Sequence, residues 1–222
     1  MNLLREYIRE TLLIEAAKGV RNLVRGVKIA MEVSDSRAKF YYYVPPNLSK
    51  ARRPEKVGAD WTIDDSRNRY AAVGWGDTEP VTQPRGQIEL RRPPPRDGPC
   101  GDAWEVAWSE ADQAWGPLLY DLAMEWATMN GGGLISDRRN VSPPARAVWD
   151  YYFSRRRAAK SHQLDDLENT LTPQEEDNCN QWSALGKVGG EDWQESPLSK
   201  RYTKSPTVWN QLIKGDKLVR FK

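Results

Sequence analysis

The stretch from residue 103 to residue 153 constrains the fold most, because two hydrophobic periods alternate along it with short punctuation between them. Residues 103–108 (AWEVAW) are short, apolar and β-prone, as a buried strand should be. Trp115-Gly116-Pro117 then opens a helix, with Gly116 near the cap and Pro117 in the first turn. Leu118, Leu119, Leu122, Ala123, Trp126 and Ala127 follow as one wide apolar stripe, and Asn130-Gly131-Gly132-Gly133 ends the helix. Leu134-Ile135-Ser136 reads as another short strand. Ser142-Pro143-Pro144 caps a second helix with Ala145, Val148, Trp149 and Tyr152 on one face. This spacing predicts a βαβα unit in which strand 103–108 is central and parallel to 133–136, with helices 117–130 and 143–155 packed on the sheet.

Upstream, residues 27–33 and the Tyr-rich run 40–44 read as strands around a Ser34-Asp35-Ser36 turn. Residues 45–68 are polar and read as a long loop; 70–75 and 86–91 are further strand candidates. Pro93-Pro94-Pro95 marks an extended connection. After Phe153 the pattern weakens into a polar, acidic segment. The chain then carries a short helix or strand at 208–213, a Gly215-Asp216 turn and a last strand at 218–221.

Composition excludes several classes of function. The 33 basic and 31 acidic residues nearly balance, which argues against a nucleic-acid-coating protein. No run of 18 apolar residues is present, so no membrane span is expected. Two cysteines, Cys100 and Cys179, cannot build a disulfide framework or a four-cysteine zinc site. The single His162 removes His-rich metal sites and reads as a surface residue; no metal ligand set is expected. Ten Trp and nine Tyr against three Phe suggest aromatics that are half buried and half hydrogen-bonded.

The turn between strand 103–108 and its helix is Ala111-Asp112-Gln113-Ala114-Trp115-Gly116. A strand feeding a Gly-containing turn and a helix leaves backbone N–H groups and the positive dipole end for a phosphate, although the same sequence also serves as an ordinary strand-to-helix turn. From Trp104 to Phe153 the chain resembles the GNAT N-acetyltransferase superfamily. The resemblance implies a mixed, mostly antiparallel α/β sheet with helices on both faces, and acetyl-CoA as cofactor. It places Glu105, Val106, Ala107 and Trp108 on the splayed strand whose backbone holds pantetheine. It places Gln113, Ala114, Trp115, Gly116 and Pro117 at the pyrophosphate motif, and Ser142 and Trp149 on the last helix. Ala111 stands where the family has Gln or Arg, Ala114 where it has the first glycine, and Trp149 where many relatives have the Tyr that protonates the thiolate. The acidic Glu110 and Asp112 oppose a diphosphate. The implied activity is acetyl transfer to an amine acceptor, with Glu105 as base, or else an exposed strand carboxylate, and Tyr152 as acid.

Residues 1–18 form an amphipathic helix by spacing and are not a secretory signal, because charges interrupt any apolar core. They either pack on the body or a partner, or resemble the capsid-targeting peptides of phage internal head proteins, with Leu13-Ile14-Glu15 as the cleavage tripeptide. On that resemblance residues 1–15 contact a phage capsid or scaffold, and the protein belongs to the host cytoplasm or the virion. The division expected is 1–18, a core at 19–155, and a polar extension at 156–222 whose terminal strand completes the core. Three functions are weighed: an acetyltransferase, a non-catalytic virion protein of the same fold, and a nucleic-acid contact through Arg155, Arg156, Arg157 and Lys160.

Overall fold

The computed structural model describes residues 18–23, 25–43, 85–112, 114–137, 141–154, 159–181 and 193–221. Eight strands form one open sheet: β1 (Lys28–Val33), β2 (Arg37–Tyr43), β3 (Gly86–Arg91), β4 (Trp104–Ala111), β5 (Leu134–Ile135), β6 (Lys160–Gln163), β7 (Lys200–Thr203) and β8 (Leu218–Phe221). Helices α1 (Gly116–Met129), α2 (Pro143–Ser154) and α3 (Thr207–Lys214) pack on it. The spatial order is β6-β7-β5-β4-β3-β2-β1-β8. The strands β1 to β4 form an antiparallel meander, β5–β7 and β6–β7 are antiparallel, and β4–β5 and β1–β8 are the parallel pairs. The sheet is therefore mixed and mostly antiparallel, and β4 is central and parallel to β5, as the βαβα pattern requires.

The α1 stripe is buried as the spacing demands: Leu118, Leu119, Leu122, Ala123, Trp126 and Ala127 all lie in the main core. Trp126 meets Phe40 of β2 and Trp104 of β4 edge-on, with ring centroids 5.6 and 4.8 Å apart. Such aromatic pairs add about 0.5–1.5 kcal/mol beyond area burial. Met124 and Glu125 are buried too, because α3 covers the outer side of α1. The two residues of β5 divide between layers, as strand alternation dictates. Leu134 enters the helix-side core, and Ile135 joins Cys100, Ala103, Leu164 and Cys179 in a second cluster.

That second cluster contains a disulfide between Cys100 and Cys179, 79 residues apart, which the sequence does not pair. The polar segment after α2 contributes more than one closing strand. It supplies β6, β7, α3 and β8, with β7 lying between β6 and β5. The 208–213 segment is a helix. The 70–75 strand candidate, the 45–68 loop, residues 1–17 of the helix expected over 1–18, the capsid contact and Arg155 to Arg157 lie outside the described residues. No described helix is long and apolar enough to cross a membrane.

Candidate functional site

The central feature is the place where two parallel neighbours part. β4 pairs with β5 at only two positions, Trp104 with Leu134 and Glu105 with Ile135. β4 then runs on to Ala111, and among the described residues it has no strand partner on that side from Val106 onward. On its other side β4 stays paired with β3, but the register shifts: Glu89 faces Trp108 and Leu90 faces Val106, leaving Ala107 as an extra residue. A bulge of this kind bends the strand and increases its twist. It also resets the alternation. Trp104 and Val106 face the helices before the bulge, while after it Ser109 reaches Tyr120 of α1 and Trp108 is 45% exposed.

The parted strands open beside the N-terminus of α1. Trp115, the residue before it, makes no side-chain cap, and its first turn holds no acidic residue. The preceding turn is tight: the Trp115 N–H donates to the Asp112 carbonyl at 3.0 Å, and Ala114 adopts φ +69°. That left-handed conformation is one a glycine takes without cost and an alanine does not. The turn is anchored from outside. Tyr42 donates its hydroxyl to the Trp115 carbonyl at 2.8 Å and packs edge-on against the indole, and the Lys18 N–H donates to the Ala114 carbonyl at 2.9 Å. Burial, with Asp112 nearby, pushes the Tyr42 hydroxyl well above its usual range. At Gly116 an added Cβ would meet only the Ala111 Cβ, at an ordinary 3.8 Å. Asp112 is not a bare charge facing this end. Its carboxylate accepts the Arg85 N–H at 2.7 Å and lies 3.5 Å from the Arg85 guanidinium. Gln113 lies outside the described residues.

Glu105 is not an exposed strand carboxylate. It is 1% exposed and pairs with Arg91, its cross-strand neighbour, at 2.5 Å. Burial alone lowers the Arg91 guanidinium, but Glu105, with Asp137 and Asp97 beyond it, outweighs that and holds it above its ordinary value. Tyr152 is buried between α1 and α2, and its hydroxyl donates to Asp121 of α1 at 2.7 Å. Burial first, and Asp121 second, push this hydroxyl well above its usual range. Trp149 is buried as well, with its ring 5.7 Å from Tyr120 and 5.2 Å from Tyr202. The Ser142 hydroxyl accepts the Ala145 N–H at 3.4 Å, so it serves α2 as the cap the sequence indicates. Pro117 occupies the first turn of α1.

Val106, Ala107 and Trp108 thus lie on the part of β4 beyond its pairing with β5, and Ala114, Trp115, Gly116 and Pro117 lie at the start of α1, with Glu105 on the opposite sheet face and Tyr152 beneath α1. The structure adds a pair the sequence does not single out: the Ser109 and Tyr120 hydroxyls, hydrogen-bonded at 2.9 Å between β4 and α1. Burial raises Tyr120, the Ser109 hydrogen bond opposes that, and the charge of Asp137 adds to the rise. A bulge cannot be read from a strand's hydrophobic pattern, so Ser109 gave no signal. His162 sits on β6 with Nε2 2.9 Å from the Thr203 hydroxyl; burial and the Arg201 and Lys160 cations lower it. Among the described residues no group of three or more His, Cys, Asp or Glu is placed to hold a metal. Comparison with protein-family models, with curated proteins and with solved structures finds no significant match to the chain.

Proposed function

We propose that the chain is an acyl-CoA-dependent N-acyltransferase of the GNAT type, moving an acetyl group from acetyl-CoA to an amine. The observation that carries this reading is the parting of β4 from β5 after two residue pairs, directly beside an uncapped helix N-terminus. An extended thioester arm needs backbone hydrogen-bonding groups along its length, and the unpartnered side of β4 from Val106 supplies them. A diphosphate needs converging N–H groups and a positive dipole end, and the start of α1 supplies those. The left-handed Ala114 supports the same reading, since the backbone keeps the turn that a glycine would make at this position. Arg85 offsets the negative charge of Asp112, so the acid opposes a diphosphate less than the sequence implies.

In the reaction the neutral amine attacks the thioester carbonyl, the C–S bond breaks, and the sulfur leaves with the electron pair. Glu105, buried on the opposite sheet face in its ion pair with Arg91, does not reach the opening, so the amine's surplus proton would pass to water. A titration of the protein with acetyl-CoA, followed by tryptophan fluorescence, tests the reading, because Trp108 and Trp115 flank the opening. Saturable quenching is expected. An unchanged spectrum at millimolar acetyl-CoA overturns it.

A second reading keeps the fold and loses the chemistry: a phage virion or internal head protein. It is favoured by the Tyr152 hydroxyl being committed to Asp121 and by Trp149 standing in its buried aromatic stack. Mass-spectrometric detection of the chain in mature phage particles, with no thiol release from acetyl-CoA, decides for it.

A further inference from the structure

We propose that the Cys100–Cys179 disulfide is a redox-operated clasp. Closed, it fixes the acidic segment 165–181 on the turn between β3 and β4; opened by reduction, it lets that segment leave the sheet while the strands keep their order. The segment has little else to hold it there. It carries six carboxylates and no Lys or Arg, so its charges repel one another. Cys179 is its only buried apolar side chain, and Leu167 is exposed. Its hydrogen bonds are largely its own. The Asp165 carboxylate gathers the Asp166, Leu171 and Thr172 N–H groups. The Asp165 N–H donates to the Asp177 carbonyl, and the Cys179 N–H to the Asp165 carbonyl. The backbone bonds that cross to the turn lie beside the disulfide: the Cys100 N–H donates to the Asn178 carbonyl at 2.8 Å, and the Asn180 N–H to the Asp97 carbonyl at 2.9 Å. Asn178 and Gln181 are buried there, each with a side-chain oxygen that meets no donor among the described residues. Closing the segment therefore costs polar groups their water.

The turn needs holding as well. Cys100, Gly101 and Asp102 are left-handed in succession, at φ +52°, +62° and +56°, and two of the three carry a Cβ. Such residues persist only where their surroundings hold them. Gly132 holds one end, donating its N–H to the Asp102 carbonyl at 2.8 Å, and the disulfide holds the other. Both cysteines are buried, with Ala103, Ile135 and Leu164 in the same cluster. A reductant therefore reaches the bond only as the segment lifts, so reduction and opening are one event. The step is exchange with a dithiol. One of its thiolates attacks a protein sulfur, and its second thiol displaces the resulting mixed disulfide. The protein S–S bond takes up two electrons and two protons, and the dithiol leaves as a disulfide. A reducing cytoplasm favours the open state and an oxidising surrounding the closed one.

The test is hydrogen–deuterium exchange on the full chain, purified with oxidised glutathione, before and after treatment with dithiothreitol. Alkylation under denaturing conditions counts the free thiols: none is expected before dithiothreitol and two after it. In the reduced chain the amides of 97–102 and 165–181 should lose protection, while those of β2, β3 and α1 keep theirs. The Cys100→Ala/Cys179→Ala double variant should show the reduced pattern with and without dithiothreitol, which separates reduction from any other action of the reagent. If that variant fails to fold, the dithiothreitol-treated wild type still decides. Two free thiols in the oxidised preparation overturn the proposal, because the bond then does not form. Unchanged protection at 165–181 after full reduction overturns it too, since the segment stays in place without its clasp. Loss of protection through β2, β3 and α1 in the reduced wild type makes the disulfide a staple of the whole fold and overturns the clasp. So does a bond that dithiothreitol cannot reduce without denaturant.

Discussion

Helices α1 and α3 begin alike and are finished differently. Neither has a capping side chain of its own at the N-terminus. At α3 the fold provides one from elsewhere: the buried Glu125 of α1 accepts the Val208 and Trp209 N–H groups at 3.0 and 2.7 Å and also pairs with Lys204. A carboxylate fills the positive end of that helix, and nothing is left for an outside anion. At α1 no side chain arrives among the described residues, the turn before it is held from behind by Tyr42 and Lys18, and a neighbouring pair of strands has parted. An end sealed by an internal carboxylate belongs to the architecture. On our reading, the end left open beside β4 belongs to the ligand.

Breaking the sealed end should have the largest effect. Glu125→Ala strips the Val208 and Trp209 N–H groups of their acceptor and leaves Lys204 with Asp121 alone, at 3.3 Å; each unsatisfied buried donor costs about 1–3 kcal/mol. Urea denaturation measures this. A cost under about 1 kcal/mol would show that α3 does not depend on its borrowed cap. The Tyr152→Phe variant should cost less, about 1–3 kcal/mol, since it leaves Asp121 without the hydroxyl that joins α2 to α1. Its thiol-release rate should stay near wild type. At the open end, Ala114→Gly should stabilise the protein by about 0.5–1 kcal/mol, because glycine accepts φ +69° without strain. A destabilised Ala114→Gly would mean the turn is not left-handed in solution.

The smallest effect concerns a third set of N–H groups closed from within. Burial pushes the Asp165 carboxyl up, but the Thr172, Leu171 and Asp166 N–H groups outweigh it and hold it below its usual value of 3.8. A carboxyl depressed in the folded state binds its proton more readily when unfolded. Its contribution is therefore complete above about pH 4 and is lost as the pH falls through the folded value. Acid unfolding monitored by circular dichroism should show Asp165→Asn with a shallower dependence below pH 4 than the wild type. Parallel curves would place the dependence elsewhere.

The βαβα stretch was legible because its periods were unmixed. The stripe of α1 and the bounds of β3 and β8 came through with no tertiary help. The polar extension hid its strands for physical reasons. β6 (KSHQ) is an edge strand that needs little apolar surface, and β7 (KRYT) lies inside the sheet with Lys200 buried but hydrogen-bonded to Gln163. Hydropathy reads both as solvent. Glu125 flanks the apolar stripe of α1, in line with Leu118 and Leu122, and the helix whose N–H groups it caps begins at residue 207, beyond the reach of any local window. The unusual Trp and Tyr content was informative: buried Tyr42, Tyr120, Tyr152 and Tyr202 each place a hydroxyl in a hydrogen bond. The pairing of Cys100 with Cys179 was not, because only the fold brings residues so far apart in sequence together.

Calorimetry with acetyl-CoA on the wild type and on Gly116→Val tests the open end most directly. Among the described residues an added Cβ at residue 116 meets nothing closer than 3.8 Å, so Gly116→Val should unfold within a few degrees of the wild type. The account predicts saturable heat from the wild type and none from Gly116→Val. Equal heats from both, or no heat from the wild type at millimolar acetyl-CoA, would contradict it.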